Sequence, residues 1–127
     1  MIAWVLSLIG LIGVCFAAIG RSLESGTWEG FFTAGRAGRI FRPCGSRAQW
    51  WVQNPAFEDT ADELERRYHE LVSRPYEQVY VRFRGEASNR KGQYGPLGSF
   101  TRVVYVQEIL ELREKREDDC AKTKEEA

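Results

Sequence analysis

Thr60-Ala61-Asp62-Glu63-Leu64-Glu65-Arg66-Arg67-Tyr68-His69-Glu70-Leu71-Val72-Ser73-Arg74-Pro75 is the best-signalled helix of the chain, and its place among strands decides the architecture. Thr60 with Glu63 three residues later fits a capping box, in which hydroxyl and carboxylate satisfy free amides at a helix start. Ala61, Leu64, Tyr68, Leu71 and Val72 form one apolar stripe at helical spacing. Pro75 removes a donor and restricts Arg74, so the predicted helix covers residues 60–74. Asp59, Asp62, Glu63 and Glu65 crowd its start, where carboxylates complement the helix dipole. A cation site is the alternative reading of that cluster.

Working outward, Val79, Val81 and Phe83 alternate with Tyr80, Arg82 and Arg84, the pattern of a half-buried strand. Upstream, Trp28 to Thr33, Arg39 to Arg42 and Gln49 to Gln53 read as three strands. Glycine-bearing turns at 34–38 and 43–46 separate them. Trp50 and Val52 share one face of the third strand and Trp51 takes the other. Downstream, Gly92, Gly95, Pro96 and Gly98 mark residues 86–100 as a long mobile loop. Thr101 to Arg113 is a last strand whose alternation blurs at Gln107-Glu108, as a bulge would cause. Trp50, Val79, Val81 and Phe83 are expected to face the core.

Three strands, one helix and two strands is the connectivity of the OB-fold. The expected fold is therefore mainly β, a five-stranded OB-fold-like barrel over residues 28–113 with the helix plugging one end. Such a fold does not fix a ligand.

An apolar N-terminus precedes this domain. Ile2 to Ile19 carries no charge, and as a helix it would span about 27 Å against about 30 Å of bilayer core. Residues 1–20 read as a membrane anchor or a signal segment, and residues 21–27 as a polar linker. Ala18-Ile19-Gly20 suits cleavage, but no Lys or Arg precedes the apolar run. A lipoprotein anchor would use Cys15, although Val14 is a poor neighbour for lipidation. Arg21, Arg36, Arg39 and Arg42 follow the segment, and by the positive-inside tendency they favour a cytoplasmic domain, with Glu24 and Glu29 intervening. From Glu114 the composition is Lys, Glu and Asp without apolar period, read as a disordered tail or frayed helix over 114–127.

Charge narrows the function classes. The chain balances 18 basic against 18 acidic side chains. Residues 21–113 hold 14 basic and 12 acidic ones, far from the surplus of a dedicated nucleic-acid binder. Nucleic acid is thus an unlikely partner. Three cysteines without Cys-x-x-Cys spacing and a single histidine give no zinc pattern, and no metal or cofactor is expected. His69 lies off the apolar stripe and reads as a solvated helix residue. No phosphate loop follows a strand, and Gly98-Ser99 lacks the context of a nucleophile elbow. The chain reads as non-enzymatic, with no catalytic residues.

Gly30-Phe31-Phe32-Thr33, Phe41-Arg42-Pro43-Cys44-Gly45 and Trp50-Trp51-Val52 carry a resemblance. It continues in Leu64-Glu65-Arg66-Arg67-Tyr68, in Val79-Tyr80-Val81-Arg82-Phe83-Arg84-Gly85 and in Val103 to Leu112. Together they resemble the C-terminal OB-fold domain of NlpE-type bacterial envelope lipoproteins, a copper-resistance and envelope-stress family. The resemblance covers about residues 28–113. It implies a domain outside the cytoplasmic membrane, in the cell envelope or periplasm, with an adhesion-sensing or protein-interaction role. That family's copper-binding Cys-x-x-Cys belongs to another domain. Cys44 here is followed by Gly45-Ser46-Arg47, so copper binding does not carry over.

Arg39, Phe41, Trp51, Tyr80, Arg82 and Arg84 are the candidate ligand-binding residues, expected to share an outer surface. Aromatics beside arginines stack on planar ligands and pair with acidic ones. The bland alternative is ordinary outer-face residues whose stems cover apolar surface. The expected function is a membrane-tethered or exported envelope module that binds protein, peptide or glycan. A cytoplasm-facing OB-fold on single-stranded nucleic acid, or a small accessory subunit of a membrane complex, are the alternatives. Cys44 and Cys120 could pair in an oxidising compartment. Cys44 precedes the third strand, however, and Cys120 lies beyond the fifth. Parallel strands would hold those ends apart, so two free thiols are expected.

Overall fold

The computed structural model describes residues 23–89 and 92–121. In chain order these form β1 (Leu23–Gly35), β2 (Gly38–Pro43), β3 (Trp50–Gln53), α1 (Thr60–Leu71), β4 (Val79–Ser88) and β5 (Arg102–Glu114). The apolar segment 2–19, Cys15 with it, and residues 122–127 lie outside the described residues. Among the described residues no helix is long and apolar enough to cross a membrane.

Among the described residues the fold is mainly β, one five-stranded sheet with one α-helix. β1 pairs antiparallel with β2 and β4, β2 with β3, and β4 with β5, while β3 and β5 run parallel. The strands thereby close into a ring in the order β1-β2-β3-β5-β4. Period-two alternation turns Phe32, Phe41, Trp50, Val52, Val79, Val81, Phe83, Val104 and Val106 inward, all buried. Phe41 is the hub, meeting Phe83 edge-on at 5.0 Å and Trp50 at 5.7 Å between ring centroids.

Helix α1 presents Ala61, Leu64 and Tyr68 to this core, as its stripe predicts, with Leu71 and Val72 packed at the margin. Tyr68 stands edge-on to Phe32 at 5.4 Å, and its hydroxyl donates to the Glu77 carbonyl at 2.6 Å. The helix start departs from the capping box. Asn54 Oδ1, not Thr60, accepts from the amides of Ala61 (2.8 Å) and Asp62 (3.1 Å). The helix also stops before Pro75. Val72 is already extended, and the Glu77 carboxylate accepts from the Ser73 amide at 3.1 Å. A side chain–backbone turn, rather than the proline, ends the helix.

Two expected boundaries move. Residues 23–27, expected as linker, are the first half of β1 and pair with Gly85 to Ser88 and Arg84 of β4 alone. With one strand neighbour they are exposed, which suits their mostly polar composition. Likewise β4 runs on to Ser88, and Tyr94 and Phe100 exchange backbone hydrogen bonds of 2.9 and 3.2 Å within the expected loop. The bulge expected near Gln107 is present. Register shifts opposite Arg82/Phe83 and Arg84/Gly85 leave Leu110 and Gln107 outside the backbone pairing with β4.

The ring is strongly staggered, and the stagger overturns the expectation of free thiols. From Phe41 the register passes through Trp50 of β3 to Arg102 of β5. In the other direction it passes through Phe32 and Val79 to Glu114. One circuit thus spans β5 from first residue to last, the shear that closing a sheet requires. The far end of β5 therefore returns beside the end of β2. Cys44 and Cys120 form a disulfide there, with Cα atoms 5.1 Å apart. The described part of the charged tail, as far as Ala121, is tied to β5. Arg113 holds Asp119 in a two-pronged pair (2.6 and 3.1 Å), and Asp119 also accepts from the Arg116 amide at 2.6 Å.

Candidate functional site

The six residues expected on one surface go to four different places. Phe41 is fully buried at the hub of the core and cannot meet a ligand. Arg39 shares its face of β2, as expected, but that face points inward. At the open end of the ring Arg39 reaches the helix start, with Nε on Glu65 at 2.7 Å and a further ion pair to Asp62. The acidic cluster thus has its cation in Arg39. Glu63 and Glu70 hold Arg66. Trp51 lies half-buried on the outer face of β3, close to Gly95. A Cβ at Gly95 would come within 3.2 Å of the indole and 2.5 Å of Phe100.

The other three residues lie on the outer face of β4, across the ring from Trp51. Arg84 is exposed and 3.6 Å from Glu108, while Arg82 is half-buried. Tyr80 is only 6% exposed, roofed by the Arg113 guanidinium 4.2 Å above its ring. Its hydroxyl donates to Glu29 at 2.5 Å. Burial disfavours the phenolate, and the Glu29 hydrogen bond and charge add to this, so its pKa is pushed up to about 12. Tyr80 therefore anchors the tail through Arg113, with no face left for a ligand. His69 is exposed beside Glu65, 3.7 Å away.

The structure assembles a different surface, on the outer side of β1 and β2. Parity sends Phe31 and Thr33 outward on β1, and Ile40 and Arg42 outward on β2, as cross-strand neighbours. The end of α1 at Leu71 and the segment after it, with Val72 and Tyr76, face them across a groove of about 750 Å³. A smaller cleft of about 370 Å³ adjoins it at the disulfide. Phe31, Arg42, Gln78 and Lys115 line both.

Arg42 is the chemically unusual group of this surface. Its Nε is buried and has no hydrogen-bond partner among the described residues. A donor left in this state costs about 1–3 kcal/mol, and buried cationic groups ordinarily carry partners. Arg42 as a whole is half-buried, and the rest of its guanidinium, beside an apolar wall and without a carboxylate among the described residues, is suited to an acidic ligand. Sequence reasoning passed over Arg42 because it chose the wrong parity for β2. The available signal was the acidic helix start, which required a cation and would have assigned Arg39 inward and Arg42 outward.

Among the described residues no group of three or more His, Cys, Asp or Glu side chains could hold a metal ion. No family model matches the chain, and no curated protein or solved structure matches it.

Proposed function

We propose that this chain is an extracytoplasmic binding module of the bacterial envelope, exported or tethered by residues 2–19, built on an OB-fold-like five-stranded barrel. The Cys44–Cys120 disulfide is the observation that carries the reading, because such bonds form and persist in oxidising compartments. The ring order, the parallel β3–β5 pair and the helix between β3 and β4 support the OB-fold assignment. The resemblance to the C-terminal domain of NlpE-type lipoproteins agrees with both. The ligand surface is the β1–β2 groove with Arg42, and its ligand a protein, peptide or glycan. The function is binding rather than catalysis.

Reporter fusions at Ala127 in a bacterial host test the location. An alkaline phosphatase fusion should be active and a cytoplasm-dependent reporter dark. The reverse pattern overturns the proposal and favours the cytoplasm-facing alternative.

A further inference from the structure

The smaller cleft joins three cations from distant parts of the chain. Arg42 points outward from β2, Arg47 lies in the β2–β3 connection, and Lys115 follows the last residue of β5. The stagger of the ring and the disulfide bring them together, and Cys120 forms part of the wall. Among the described residues no Asp or Glu lines this cleft. Among the described residues none of the three cations meets a carboxylate. Lys115 donates to Gln78 Oε1 at 3.0 Å and lies 4.6 Å from the centre of the Phe31 ring. The acidic groups nearby, Glu77 and Glu114, line only the larger groove.

Such a cluster is costly without a ligand, since like charges repel and Arg42 Nε is desolvated. We propose that the cleft binds a phosphate group carried by a sugar or by glycerol. A carboxylate neutralises one charge and offers two oxygens. A phosphate monoester brings up to two charges and three acceptor oxygens, enough for two guanidinium groups and one ammonium. The Phe31 ring, which lines both the cleft and the larger groove, supplies an apolar wall for the carbon skeleton of the carrier. A volume of about 370 Å³ lies in the range of small-ligand sites. The proposal deepens the reading of this face as the binding surface, but it does not depend on the compartment.

The test is calorimetric titration of the full-length chain in non-ionic detergent, at low salt, with inorganic phosphate, glucose 1-phosphate and acetate. Both phosphates should bind one to one, and acetate at least about tenfold more weakly. Arg42→Gln and Lys115→Gln should each weaken phosphate binding about tenfold, whereas Arg84→Gln on β4 should leave it unchanged. Arg42→Gln should keep the melting temperature, because its Nε gives up no partner. Vesicles of phosphatidylcholine with and without phosphatidic acid, a phosphomonoester on glycerol, identify the source. Capture by the anionic vesicles alone, reversed by phosphate, means a lipid headgroup. Glucose 1-phosphate binding without capture means a phosphorylated glycan. Phosphate binding no tighter than acetate, or indifferent to Arg42→Gln, overturns the proposal. That result would leave the reporter-fusion outcome standing, and a cytoplasmic reporter pattern would leave phosphate binding standing.

Discussion

Replacing Cys44 and Cys120 together by serine should destabilise the fold by about 4–5 kcal/mol. The bond joins residues 76 apart, and closing a loop of that length removes about this much chain entropy from the unfolded state. The native state should change little. Arg113 still holds Asp119, only 5% exposed, and Lys115 still caps Phe31. With an m value of about 1.5 kcal/mol/M for a domain of this size, the urea midpoint should fall by about 3 M. Small domains hold only about 5–15 kcal/mol in total, so the variant is left marginal. Tryptophan fluorescence follows the transition, since Trp50 is buried in the core. A midpoint shift below about 0.5 M would refute the reasoning, because it would mean that the bond constrains nothing beyond a loose tail.

Other substitutions probe the core, the strand crossing and the tail. Phe83→Ala removes a fully buried ring packed on Phe41 and should cost about 3–5 kcal/mol, read as a loss of urea midpoint. Gly30→Ala should cost at least about 2 kcal/mol, because the new Cβ would come within 2.1 Å of the Arg42 carbonyl oxygen, which is backbone and cannot swing away. Melting temperature decides that case, and an unchanged value would mean that β1 and β2 cross less closely. Asp119 gives a pH signature. Hydrogen bonds from Arg113 hold its carboxyl below the ordinary 3.8, so its stabilisation is complete above that pH. It is lost as pH falls through the lower folded value. Asp119→Asn should therefore lose stability at pH 7 and show a shallower decline below pH 3.8 than the natural chain.

Much of the fold is legible in the sequence because each core element carries its own period. The α1 stripe and the alternation of Val79, Val81 and Phe83 need no knowledge of neighbours, and both bury the faces they predict. The parity of β2 was not legible. Arg39-Ile40-Phe41-Arg42 offers one large apolar residue to each face, and a one-residue choice exchanges core for surface. That ambiguity placed Phe41 outside and left Arg42 unread. The stagger is hidden for a related reason. It depends on two bulges in β5 and on register summed around the ring, and no local window contains either. The disulfide and the cationic cleft both follow from the stagger, so both were beyond the sequence pattern.

The thiol state of the chain in living cells tests the central claim most directly. Bacteria producing the full-length chain are quenched in acid, then alkylated with a mass-tagged maleimide before and after reduction. An exported module with the tail returned to β2 should expose two additional thiols only after reduction. Deleting residues 1–20 should leave both thiols reactive from the start. Full reactivity of Cys44 and Cys120 in the undeleted chain would contradict the account.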